Sequence, residues 1–133
     1  MEKHAVTAIS LSAQSEFTLT IEIDEDAYTG DFAFSTYVEG NCISVSEYGY
    51  FEAFQVIRDE LLDKGYGMKC VGAKLNAVQS SMSSATDSVY LVTLGRQALR
   101  SDLMSIYEYA EIDEFPNTEK QSEFFEKWIK SLR

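Results

Sequence analysis

The segment Glu16-Phe17-Thr18-Leu19-Thr20-Ile21-Glu22-Ile23 alternates apolar and polar residues without a break. This period of two is typical of a β-strand that has one buried face and one solvated face. Weaker versions of the same pattern follow at residues 5–12, at residues 32–38, and around Ile43 and Val45. Polar turns separate these segments, at residues 24–31 and at Gly40-Asn41. The first third of the chain is therefore predicted to form an antiparallel meander.

The period changes from two to the helical 3.6 at residues 50–64. Apolar side chains recur there at helical spacing, Arg58 is the only polar member of the stripe, and Gly65 stands where a left-handed C-terminal cap is expected. We predict a helix whose aromatic face packs on the inner face of the meander.

Two further helices are predicted in the C-terminal part. Residues 97–110 carry an apolar stripe at Leu99, Leu103, Ile106 and Tyr107. Beyond Pro116, Thr118 and Gln121 have the spacing of a capping box. An apolar stripe follows, made of Phe124, Phe125, Trp128, Ile129 and Leu132, and it predicts a last helix.

Between the first two predicted helices, residues 68–75 and 89–94 are expected to be strands. The polar, aperiodic residues 80–88 would connect them as a long exposed loop. We therefore predict one α+β domain over residues 1–133, in which an antiparallel sheet, made of the N-terminal meander and this later hairpin, is packed by about three helices.

The balance of charge is strongly acidic. The chain has 22 acidic residues against 11 basic ones, a net charge of −11 and a pI near 4.4. Residues 1–47 contain nine acids and a single base, Lys3. This charge disfavours nucleic acid and anionic membranes as partners and favours a basic protein. We expect a cytoplasmic protein, since the apolar runs are too short for a signal peptide or a membrane span.

Few residues are suited to catalysis. His4 is the only histidine, so histidine-dependent hydrolysis and zinc binding lack their usual groups. Cys42 and Cys70 are expected to be free thiols in a reducing compartment. Gly65, Gly67 and Gly72 follow a helix, whereas the glycines of a dinucleotide-binding loop follow a strand. We predict no catalytic residues and no cofactor.

The acidic residues between the second and third strands allow two interpretations. A calcium loop beginning at Asp24 would require glycine and glutamate where Thr29 and Ser35 stand, so a charged turn is favoured over a metal site. We predict instead that this region contacts a protein. Tyr48 and Tyr50 would add amphipathic rings, and the candidate contact residues are Glu22, Asp24, Glu25, Asp26, Asp31, Tyr48 and Tyr50.

The C-terminal half also carries a family resemblance. Cys70-x-Gly72-Ala73-x-x-Asn76-x-Val78, then Ser81-Met82, then Tyr90-x-x-x-Leu94-Gly95 resemble a set of small bacterial proteins that look like immunity or accessory partners of toxins. Gln79-Ser80 departs from the run expected there. The resemblance implies a protein partner and no particular catalytic residue.

Two functions follow as hypotheses. The first is an acidic protein-binding module, most concretely an immunity-type inhibitor that covers a basic toxin or nuclease domain. The second is a small ligand-binding domain or enzyme with a pocket around residues 65–82, where Cys70, Asn76 and Met82 are the candidate lining residues. A homo-oligomer with a scaffolding role is a third possibility.

Overall fold

The computed structural model of the chain describes residues 1–80 and 84–133. It contains a five-stranded antiparallel sheet in the order β4-β3-β2-β1-β5. The strands are β1 Glu2–Ser10, β2 Glu16–Glu25, β3 Phe32–Val38, β4 Asn41–Glu47 and β5 Tyr66–Met68. The strands are offset along the sheet, since β2 pairs with β1 from Glu16 to Ile23 but with β3 only from Ile21 to Glu25. The predicted meander is confirmed.

A second sheet has the order β6-β7-β8. Its strands are β6 Ala77–Val78, β7 Ser88–Leu91 and β8 Leu103–Ser105. The two α-helices of the described chain are α1 Tyr50–Asp63 and α2 Thr118–Ser131. The fold is therefore α+β in a single domain. The predicted hairpin is wrong in its first strand, since residues 71–73 form a 3-10 turn and β7 pairs with Ala77–Val78. Its strands also form a sheet of their own and do not extend the meander.

Helix α1 packs on the inner face of the five-stranded sheet. Its Phe54, Ile57 and Leu61 are fully buried against Leu19, Ile21 and Phe34 of the strands. Burying side chains of this size contributes about 1.5–3 kcal/mol each. The helix ends as predicted, since Gly65 adopts a positive φ of 93° just beyond it.

The predicted helix over residues 97–110 is wrong. These residues, all of which the structure describes, form a 3-10 turn at Arg100–Asp102 and then strand β8, which pairs with β7. Leu99 and Leu103 of the supposed apolar stripe are exposed. Ile106 is buried because it packs on Gly72, where an added Cβ would lie only 2.7 Å from the Ile106 Cβ. The described chain therefore has two helices where about three were predicted.

The N-terminus of α2 also differs from the predicted capping box. The capping residue is Asn117, whose side chain accepts a hydrogen bond of 2.9 Å from the backbone N–H of Lys120. Gln121 is buried and is used in contacts with α1 and with the turn after β5. Gln121 lies in the predicted helix, but its side chain is buried in the core and does not cap the helix.

Candidate functional site

Antiparallel pairing gathers carboxylates at one end of the large sheet. β1 begins, β2 ends, β3 begins and β4 ends at this end, as the pairings of Glu2 with Ile23 and of Phe32 with Glu25 and Glu47 show. We call this surface the acidic end; its carboxylates are Glu2, Asp24, Glu25, Asp26, Asp31 and Glu47. Glu22 lies nearby on the outer face of β2, 3.4 Å from the Lys3 ammonium, and Asp24 lies 3.7 Å from the N-terminal amine.

Asp26 holds the turn between β2 and β3. Its carboxylate accepts hydrogen bonds from the backbone N–H groups of Tyr28 (2.8 Å) and Thr29 (2.9 Å). These bonds, the one from Thr29 first, lower the pKa of Asp26 below its usual value. Asp26 therefore shapes the acidic end as well as adding charge to it.

Two tyrosines project from the acidic end. Tyr28, in the β2–β3 turn, is 99% exposed, and Tyr48, directly after β4, is 74% exposed. Tyr50 is only 3% exposed, and its ring packs edge-on against Phe32 and Phe34. Tyr50 therefore belongs to the core and offers no surface to a partner, while Tyr28 is a surface residue that the sequence did not single out.

Tyr50 also takes part in a polar cluster beneath the acidic end. Its hydroxyl is 2.7 Å from that of Tyr107, and the Tyr107 ring stacks on His4 at 3.8 Å. The Nε2 of His4 is 3.1 Å from a carboxylate oxygen of Glu2. Burial raises the pKa of both tyrosines, so their hydroxyls stay neutral. The Tyr50 hydroxyl also donates to Glu2 at 3.4 Å and so links α1 to β1.

The structure describes two of the three predicted pocket residues, Cys70 and Asn76, and both contribute to the packing of the fold. Cys70 is buried in the main core. Asn76 donates a hydrogen bond of 3.0 Å to the carbonyl of Val92 and so fixes the chain beside β7. Met82 lies outside the described residues.

The two thiols should differ sharply in reactivity. Burial raises the pKa of Cys70 to about 12, so its nucleophilic thiolate is scarce at neutral pH, whereas Cys42 is exposed. We expect an aromatic disulfide reagent at pH 8 to modify one thiol in the folded protein and both in denaturant. The Cys42→Ser variant should show no fast phase. Fast modification of that variant would contradict the buried position of Cys70.

A groove runs between α1, the β6–β7 hairpin and α2. It consists of a cavity of about 630 Å³ and an adjoining one of about 390 Å³, which share Glu52, Val78, Gln79 and Phe125. One wall is apolar, with the rings of Tyr90, Phe125 and Trp128. The other is polar, with Glu52, Gln55 and Gln79. We call this site the groove.

A buried network joins the two helices beside the groove. The Nη2 of Arg58 donates to Oε1 of Gln121 at 2.5 Å and to the hydroxyl of Thr118 at 3.2 Å, while Nε donates to Asp59 at 2.8 Å. The Nε2 of Gln121 donates to the carbonyls of Gly72 (3.0 Å) and Lys74 (2.8 Å). This network sets the spacing of α1 and α2, and so the width of the groove.

Within residues 1–80 and 84–133, no three His, Cys, Asp or Glu side chains group closely enough to hold a metal ion. The helices of this part of the chain are too short or too polar to cross a membrane. No protein-family model matches the sequence, and no curated protein matches it significantly.

Sequence reasoning located part of the acidic end and missed the groove. Strand pairing brings Glu2 and Glu47 to the acidic end. The predicted meander could have located both residues, since its strand order already places these strand ends together. The sequence places Phe125 and Trp128 in the apolar stripe of the last helix and gives no sign that they line a groove. The apolar stripe is wider than the face of α2 that packs on the rest of the protein, since Phe125 remains 40% exposed.

Proposed function

We propose that the protein is an acidic protein-binding module that contacts a basic partner through its acidic end. The observation that carries the proposal is the convergence of six carboxylates and two exposed tyrosines on one end of the sheet. Complementary charge accelerates association, and tyrosine rings are enriched in protein interfaces. The more specific form of the proposal is an immunity-type inhibitor of a basic toxin or nuclease domain, in line with the resemblance of the C-terminal half.

Charge reversal at the acidic end tests this function. In Asp24→Lys/Glu25→Lys, the association rate with a basic partner captured from the native cell should fall about tenfold at low salt, and its salt dependence should flatten. Stopped-flow or surface-based kinetics at several salt concentrations measure both. Asp26 is left unchanged because it holds the turn.

The matched control is Glu60→Lys/Asp63→Lys, which changes the net charge equally at the C-terminal end of α1. This control should retain most of the association rate. If association slowed equally in the two variants, the effect would come from net charge and not from the acidic end. If neither variant associated more slowly, the acidic end would be rejected as the contact surface.

The alternative is a small ligand-binding domain or enzyme, and the groove is the observation that favours it. Its volume falls in the range of small-molecule sites. Of the predicted pocket region around residues 65–82, only the stretch from Ala77 to Ser80 lines the groove among the described residues. Stabilisation of the protein by a metabolite in a thermal-shift screen would support this alternative.

A further inference from the structure

We propose that the groove receives an arginine side chain of the basic partner. This inference rests on the proposed function and assigns it a second contact site. The groove lies next to the acidic end, since Glu52 is in the first turn of α1 and Glu47 ends the strand just before that helix. A partner seated on the acidic end can therefore extend a side chain along α1.

The apolar wall suits the flat face of a guanidinium and its aliphatic stem. The indole N–H of Trp128 donates to the carbonyl of Arg96 at 2.8 Å, which fixes the ring in place. The Phe125 ring lies beside it, at a centroid distance of 6.1 Å. Guanidinium groups stack favourably on such rings, and their aliphatic stems cover apolar surface.

The polar wall offers hydrogen-bond acceptors. The Nε2 of Gln55 donates to Gln121 at 3.0 Å, and that of Gln79 donates to the carbonyls of Thr86 (3.0 Å) and Ser88 (3.2 Å). Their side-chain oxygens have no hydrogen-bond partner within the described residues. The carboxylate of Glu52 likewise forms no ion pair with any described residue, and it is the one charged side chain among those lining the groove.

An arginine matches both walls better than other side chains do. Its five N–H donors suit the Glu52 carboxylate and the neighbouring amide oxygens, and its planar face suits the Phe125 ring that both cavities share with Glu52. A lysine has three donors and no planar face. An anionic ligand would meet a carboxylate with no compensating cation in either wall.

The fluorescence of Trp128, the single tryptophan of the chain, reports directly on the groove. The probe is a short capped peptide with one arginine between two leucines, and its control replaces arginine with the neutral isostere citrulline. The arginine peptide should change Trp128 emission and bind about tenfold more tightly than the citrulline peptide. Glu52→Gln should remove that preference, while Glu60→Gln, on the exposed side of the same helix, should preserve it.

Four results would overturn the inference, and the first three concern the peptides. They are equal affinity for the two peptides, equal effects of Glu52→Gln and Glu60→Gln, and no response of Trp128 at millimolar peptide. Tighter binding of free butylguanidine than of the arginine peptide would also reject it, since the groove would then be a small-molecule site. If the peptide experiment fails but Asp24→Lys/Glu25→Lys still slows association, the arginine site is rejected and the proposed function is retained. The two proposals can therefore be rejected separately.

Discussion

The Gln121→Leu variant is expected to lose about 2–4 kcal/mol of unfolding free energy, because it leaves more than one buried polar group without its hydrogen-bond partner. Gln121 is buried, and its amide oxygen accepts from Arg58 and Gln55 while its nitrogen donates to the carbonyls of Gly72 and Lys74. Leucine has a similar size but provides none of these bonds. The substitution would leave a buried guanidinium with fewer acceptors, which costs more than the bonds themselves contribute.

The loss is large because Arg58 is a buried cation with few hydrogen-bond acceptors. Arg58 is 1% exposed, burial lowers its pKa, and its Nη1 already lacks a hydrogen-bond partner in the described chain. Asp59 and Thr118 remain after the substitution, but the shortest contact of the guanidinium is lost. Arg58→Met/Gln121→Leu should therefore be more stable than Gln121→Leu alone, because the double variant removes the buried charge as well.

Urea denaturation measures both effects, provided that the slope of unfolding free energy against urea concentration stays constant. The matched control is Lys120→Leu, on the exposed side of the same helix, which should change stability by no more than about 0.5 kcal/mol. If Gln121→Leu were as stable as this control, Gln121 would not be needed to satisfy Arg58.

The meander and α1 could be predicted because their signals are local. Strict alternation from Glu16 to Ile23 fixes which face of β2 is buried, and Gly65 ends α1 through its own backbone preference. Short connections fix how β1 and β4 pair with their neighbours. This pairing brings the carboxylates together at one end of the sheet. The acidic end was thus partly accessible from sequence.

The segment from Gln97 to Ala110 could not be predicted in the same way. Leu99, Leu103 and Ile106 fit a helical period, but the conformation is decided by pairing of β8 with β7 and by close packing of Ile106 on Gly72. Both contacts join residues far apart in the chain, and such contacts override local preference. Tyr50 shows the same limit, since its burial depends on Phe32 and Phe34.

Phe54→Ala is expected to lose about 3–5 kcal/mol of unfolding free energy, a large part of the ~5–15 kcal/mol typical of a domain. The Phe54 ring is fully buried between the inner face of the sheet and the turn that contains Gly72. A Cβ added at Gly72 would lie 2.9 Å from the Phe54 ring, so the backbone of the turn already contacts this ring closely. Removing the ring would leave a cavity that the fixed turn cannot fill.

Phe125→Ala is the matched control, because it deletes the same ring from a surface that is 40% exposed. Its loss should be about 1 kcal/mol, since less apolar area leaves water on folding at this position. Thermal or urea unfolding of the two variants distinguishes a core ring from a groove ring. Equal losses would mean that Phe54 is not the centre of the α1–sheet contact. A large loss of unfolding free energy in Phe54→Ala alone would show that packing around Phe54 holds α1 in place. It would thereby also hold Glu52 and the polar wall of the groove beside the acidic end.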